Sequence, residues 1–169
     1  MDFQNFLNKN TPNLFAISFD NVDIKQIDFN EVLFFKSHFN NCKIEYCNFK
    51  ECNLNNTHFE NSLFYEVEIK NNNNLFKLEL DKVFMNLCYF ENLQFYCNKF
   101  ENCKFIYTIF KDCKFTELEI TNTRFEYCIF LNCFYDYHFL DINAELNKDC
   151  CCFKNCFFYK SAFINNLMI

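Results

Sequence analysis

Large apolar residues recur at every fifth position along most of this chain. The first series is Leu14, Phe19, Ile24, Phe29, Phe34, Phe39, Ile44, Phe49, Leu54, Phe59, Phe64 and Ile69. After one extra residue it resumes at Leu75, Leu80, Met85, Phe90, Phe95, Phe100, Phe105, Phe110, Phe115, Ile120, Phe125 and Phe130. Two residues before these centres runs a second series of mostly smaller side chains, among them Ile17, Val22, Ser37, Cys42, Cys47, Cys52, Thr57, Ser62, Cys88, Cys103, Thr108, Cys113, Cys128 and Cys133. Residues two apart on an extended chain point to the same side. Each unit therefore offers one large and one small inward side chain, and three positions for turn and solvent. A helix needs apolar spacings of three and four. An ordinary strand needs unbroken alternation. A period of five predicts a chain that runs extended for about two residues, turns a corner and starts again in phase. Such a chain winds into a coil whose turns pair at the ~4.8 Å spacing of adjacent strands.

The unit resembles that of the pentapeptide-repeat family: a small residue, a polar residue, Leu or Phe, then two variable residues. It reads here as Cys42-Lys43-Ile44, Cys47-Asn48-Phe49, Cys52-Asn53-Leu54, Cys103-Lys104-Phe105, Cys113-Lys114-Phe115 and Cys156-Phe157-Phe158. The resemblance implies an all-β fold, a right-handed quadrilateral β-helix with four units per coil.

The phase divides the chain. Residues 1–11 lie outside it, and Phe3, Phe6 and Leu7 have the spacing of a short helical cap over the N-terminal end. The β-helix is expected over 12–169. It carries a one-residue slip at Asn71-Asn72-Asn73-Asn74, read as a bulge at a corner, and a break over 141–150, where Ala144-Glu145-Leu146 has the look of a helical turn or protruding loop.

Composition refines this picture. Hydrophobic content of 51% and 27 Phe supply ample core for one domain. Gly is absent, so the corners fall to Asn, the next residue most tolerant of positive φ: Asn21, Asn41, Asn61, Asn102 and Asn122. Thirteen Cys would suggest a disulfide framework, but the count is odd and most take the small inward position. There a free thiol serves as a small hydrophobe. With no signal-like segment ahead of the repeat, reduced thiols in a cytoplasm are expected. No apolar run is long enough for a membrane helix.

Four units per coil place residues twenty apart in stacked outward columns. One is an acidic ladder of Asp20, Asn40, Glu60, Asp81, Glu101, Thr121 and Asp141. It reads either as a solvated face or as a strip of negative potential. Lys50, Lys70 and Lys111 form a basic column. Phe35, Phe76 and Tyr96 form one aromatic column, and Tyr46, Tyr107 and Tyr127 another. His38 and His58 stack outward, but no further ligand is evident beside them, so no metal site is expected. Cys150-Cys151-Cys152 alternates in and out and suggests no joint site. No nucleophile–base pair, phosphate loop or acid pair converges, so neither catalysis nor a cofactor is expected.

The run from Phe39 to Leu54 is similar to the Cys-rich opening of the quinolone-resistance pentapeptide-repeat proteins, which protect DNA gyrase and topoisomerase IV by resembling duplex DNA. That resemblance implies a non-catalytic DNA mimic of bacterial origin that binds gyrase or topoisomerase IV, with no direct contact to nucleic acid or membrane. The net charge of −6 and the ladder of Asp20, Glu60, Asp81, Glu101 and Asp141 are compatible with it. The alternative is a structural or scaffold repeat protein with another partner. The C-terminal end carries apolar residues and no capping helix. A homodimer through that end is expected, with Phe158, Phe163, Leu167 and Met168 at the contact.

Overall fold

The computed structural model describes residues 13–70, 75–135 and 152–163. Among these, every regular element is a strand of two or three residues, and the strands pair in parallel. They fall into four sheets, one per side of a four-cornered coil. Each strand pairs with its equivalents in the coils before and after it, never with its neighbour in sequence. The quadrilateral β-helix implied by the resemblance is therefore the observed fold. The expected cap over 1–11, the slip at 71–74 and the break at 141–150 lie outside the described residues. Their effect on register is visible on either side. Partners are twenty residues apart up to the slip (Phe39↔Phe59), twenty-one across it (Phe59↔Leu80) and twenty-eight across the break (Phe125↔Phe153).

Every fifth residue takes a left-handed backbone conformation, with φ between 48° and 60°. The Asn corners expected from the sequence are there, but Lys36, Leu87, Cys97 and Tyr107 occupy equivalent corners. Position in the unit, not residue type, decides the conformation. An L-residue with a Cβ loses roughly 1–2 kcal/mol in this region. Coil-to-coil bonding offsets that cost, since most corner N–H groups donate to a carbonyl of the next coil: Leu87 to Ile106 at 3.1 Å, Lys36 to Asn55 at 3.2 Å.

One face changes character at the slip. Before it, Asn13, Leu33 and Asn53 are joined by isolated bridges only. Tight turns follow them, closed by Ser37 N–H to Phe34 O and Thr57 N–H to Leu54 O. The side chains of Asn13 and Asn53 accept the N–H groups of Phe15 and Asn55. This is the self-bonding turn that Asn favours. After the slip the same face is a regular five-stranded sheet beginning at Leu75–Phe76.

The centres fill the interior. Phe19, Phe39 and Phe59 stack at 4.7 and 4.6 Å, and Phe90, Phe110, Phe130 and Phe158 at 4.8, 5.0 and 4.8 Å. Rings from adjoining faces meet edge-on, as Phe95 meets Phe100 at 88°. Both geometries suit aromatic quadrupoles.

The small position is more than a space-filler. Cys42, Cys103, Cys128 and Cys133 each direct Sγ at the carbonyl oxygen of a centre one coil earlier: Phe19, Leu80, Phe105 and Phe110, at 3.3 to 3.5 Å. Thr57 donates likewise to Phe34, and Ser37 to Leu14. Cys, Ser and Thr recur there because each is small and carries a donor. The view of Cys as a plain small hydrophobe is corrected to that extent. Leu78, Leu93, Asn98 and Leu118 also take this buried position, outside the pattern of small residues.

Candidate functional site

Residues of the acidic ladder lie in register on successive coils. Asp20 pairs with Asn40, Asn40 with Glu60, Glu60 with Asp81 and Asp81 with Glu101. Asp141 lies outside the described residues. The carboxylates are not bare. Asn40 Nδ2 donates to Asp20, and Lys99 Nζ sits 2.7 Å from Glu101. Lys82 lies 3.2 Å from Asp81, and His38 Nε2 lies 3.7 Å from Glu60. Partial burial raises the Asp81 pKa, but hydrogen bonds from Asn102 and Lys82 outweigh it and hold the carboxyl below its ordinary value. Beside the ladder the corner amides run from coil to coil, Asn41 to Asn21 and Asn122 to Asn102. The strip is a hydrogen-bonded ribbon of amides and carboxylates with cations interleaved.

The basic column is also interleaved. Glu91 stands between Lys70 and Lys111 in register and pairs with Lys111. In the first aromatic column, Phe76 stacks on Tyr96 at 5.8 Å and Phe15 lies tilted against Phe35 at 5.6 Å, with Asn55 between the two pairs. In the second, Glu66 separates Tyr46 from an apolar run of Leu87, Tyr107 and Tyr127. Those three corner side chains are 45, 53 and 44% exposed, and the tyrosines stack at 5.2 Å. Leu87 carries no outward signal in the sequence, because its exposure comes from a corner that the five-residue pattern assigns to polar residues.

The two outward histidines lie in register on adjacent coils, rings 4.7 Å apart and 3° from parallel. Sequence spacing alone showed two ligands here. The structure adds a third, Glu60, two residues beyond His58 on the same strand and on the same outward side. One ligand atom from each of His38, His58 and Glu60 lies within 4.8 Å of the other two. The signal was available: His-Phe-Glu at 58–60 is an outward–inward–outward triplet. The expectation that nothing converges on the histidines is corrected.

Cys42, Cys47, Cys52, Cys88, Cys97, Cys103, Cys113, Cys128, Cys133 and Cys156 are free thiols. Burial pushes Cys88 and Cys103 up to about 12 and Cys52 to about 11. At the C-terminal end, Phe158 is 36% exposed in the last described coil while stacking on Phe130. Phe163 lies in a short strand paired to Phe134–Tyr135. Leu167 and Met168 lie outside the described residues. No helix among the described residues is long and apolar enough to cross a membrane.

Residues 42–71 match the family model for pentapeptide repeats, described as eight copies. Among curated proteins, none matches the sequence. Solved structures similar in fold include a trypsin-treated variant of QnrB1, a plasmid-mediated fluoroquinolone resistance protein. It is 12% identical with a TM-score of 0.47, over 90% of this chain and 79% of that one. HetL, a pentapeptide-repeat protein involved in heterocyst differentiation regulation from the cyanobacterium Nostoc sp. strain PCC 7120, is 7% identical with a TM-score of 0.35, over 95% and 92% of the two chains. Rfr23 from the cyanobacterium Cyanothece 51142 is 11% identical with a TM-score of 0.31, over 82% and 98%. Residues 42–71 carry pentapeptide repeats, and the five-residue backbone geometry of that segment recurs on both sides of it.

Proposed function

We propose that this solenoid is a non-catalytic interaction protein that presents stacked side-chain columns to a protein partner. The observation that carries this reading is the exposed corner column of Leu87, Tyr107 and Tyr127. Contiguous exposed apolar groups on a soluble surface mark contact sites. A rod packed with Phe rings along its axis spends its large side chains on itself, so its outer columns are what it has to offer.

The resemblance of residues 39–54 to quinolone-resistance repeats makes DNA gyrase and topoisomerase IV the partners to test first. Charge mimicry by the ladder alone is too weak to explain such binding. From Asp20 to Glu101 the ladder spans four coil spacings, about 19 Å. Duplex DNA carries about 11 negative charges over that length. The ladder offers Asp20, Glu60, Asp81 and Glu101, the last two with lysine neighbours. Contact through shape and aromatic columns is therefore the stronger part of the reading.

The test is gyrase supercoiling with increasing amounts of protein, with and without a quinolone. A change that the double variant Tyr107→Ala/Tyr127→Ala weakens more than Glu60→Gln/Glu101→Gln supports gyrase as partner through the corner column. No change at any ratio removes gyrase and leaves the scaffold reading. A reducing cytoplasmic setting, which the buried free thiols fit, belongs to the same proposal. So does a homodimer through the C-terminal end around Phe158, Phe163, Leu167 and Met168. A monomer in sedimentation at micromolar concentration, or a dimer that survives truncation after Phe163, excludes it.

A further inference from the structure

We propose that His38, His58 and Glu60 bind one divalent transition-metal ion, with Glu79 as the carboxylate that orients His58. The site is independent of the partner question and rests on different residues from the corner column.

The fold places the ligands. His38 and His58 are partners in register on consecutive coils of one sheet. Their backbone N–H groups bond to Ile17 and Ser37 of the preceding coils at 2.9 and 3.0 Å, so both α-carbons are held by the ladder. Glu60 shares the strand of His58, and Glu79 stands opposite His58 on the next coil. Ligands on paired strands are positioned more tightly than ligands on loops.

The distance between His38 and Glu60 suits a shared ion better than it suits direct bonding. His38 Nε2 lies 3.7 Å from Glu60 Oε2, too long for a hydrogen bond. Two donors on one zinc ion, each ~2.0–2.2 Å from it, stand about 3.4–3.7 Å apart at tetrahedral to trigonal angles. Neither His38 Nε2 nor His58 Nε2 has a hydrogen-bond partner, although both atoms are shielded from solvent. Unpaired buried polar atoms call for a missing partner, and an ion is one such partner. His58 Nδ1 faces Glu79 Oε2 at 3.9 Å, too long for a hydrogen bond as it stands, so Glu79 is the carboxylate placed to take up the second nitrogen of His58 once that ring ligates. The stacked rings run their lone pairs side by side, so one ring must turn to bring both onto a shared ion. The side chains are 42 and 33% exposed, which leaves solvent-side room for that turn.

The donor set selects the metal class. Two imidazoles and a carboxylate favour zinc, nickel or copper over calcium or magnesium, which take oxygen ligands.

The test uses the full chain without a histidine tag, titrated with zinc chloride by calorimetry and with magnesium chloride as the hard-cation control. One zinc per chain is expected, with no saturable magnesium signal. The double variant His38→Ala/His58→Ala should abolish that event. Glu79→Gln should weaken it by about 10–100-fold, the scale of losing a supporting group at a metal, and Glu60→Gln, which removes a ligand, by more. Glu119→Gln, further along the same sheet, should leave it unchanged. A cobalt titration should give a visible spectrum without a strong thiolate charge-transfer band, which separates this site from capture by cysteine. Circular dichroism of each variant checks that the coil is intact. The proposal is overturned by an absence of saturable zinc binding, by binding in the double histidine variant within threefold of the parent, or by a thiolate spectrum.

Discussion

Asn98 Oδ1 accepts a hydrogen bond from the backbone N–H of Leu78 at 2.8 Å, linking two consecutive coils through the core. Asn98 is buried in the small position, and its Nδ2 has no partner. Thr123 occupies the equivalent position on another face and satisfies both requirements. Its Oγ1 accepts the Cys103 N–H at 3.2 Å and donates to the Phe100 carbonyl at 3.3 Å. Asn98→Thr should keep the acceptor, add a donor and remove the orphaned amide. Stability should rise by about 1 kcal/mol, the net worth of one internal hydrogen bond. Asn98→Leu should lower it, because Leu78 loses its acceptor. Thermal melts of the two variants check this, and a melting point for Asn98→Thr below that of Asn98→Leu would refute it.

Phe105 is wrapped by Phe100, Phe110 and Phe125 at 5.6, 5.8 and 4.7 Å, and pairs in register with Met85. Its neighbours cannot close a gap without shifting their own coils. Phe105→Ala should cost ~3–5 kcal/mol. Lys104 in the same unit points outward and pairs with Glu126 at 3.2 Å. Lys104→Ala should cost less than about 1 kcal/mol. Denaturant unfolding of the pair measures the difference.

The buried thiols predict a loss of stability in alkali. Burial raises the folded-state values of Cys88 and Cys103 to about 12, and of Cys52 to about 11, above the ordinary thiol. A raised folded value means that the folded state holds its proton where the unfolded chain releases it. The contribution is complete below the unfolded value near 8.5 and is lost progressively as pH rises toward 11–12. Melting temperature should therefore fall steeply between about pH 9 and 12. Over the same range, native thiols should react with an alkylating probe far more slowly than those of the denatured chain. Flat stability across this window would contradict the burial of these groups.

Leu87 sits at a corner with φ of 55° and an exposed side chain. Asn tolerates that region better than Leu. Leu87→Asn should raise stability by about 0.5–1 kcal/mol. The same change thins the apolar corner column, so it should weaken any partner contact made there. A variant that melts higher yet binds less would separate surface use from fold maintenance.

Most of the architecture was legible in the sequence because the interior imposes a strict rule. A core closed on four sides admits one large side chain per side and coil, so Phe39, Phe59 and Phe105 announce their positions by spacing alone. The same rule identified the inward cysteines, which alternate with polar neighbours. The corners were only half legible. Asn21 and Asn41 look like corner residues, while Leu87 and Cys97 do not. Their conformation is forced by coil closure and by bonds to the next coil, not by local preference. The change of backbone on the face of Leu33 and Asn53 was not legible, since it depends on side-chain amides bonding to nearby backbone.

The sequence by itself determined the five-residue period and the inward and outward assignment of nearly every described side chain, while the four-sided coil that stacks Asp20, Glu60, Asp81 and Glu101 into one ladder is set by the pairing of the strands. The period and the assignment follow from covalent geometry and burial, which repeat identically in each unit. Only the tertiary structure decided how the outward groups pair. Whether Glu101 finds Lys99, whether Glu91 interrupts the lysine column, and whether Glu60 joins His38 and His58 all depend on side-chain directions across neighbouring coils. At the surface no packing rule restricts those directions, and differences of a few ångströms separate a free charge from an ion pair or a metal ligand.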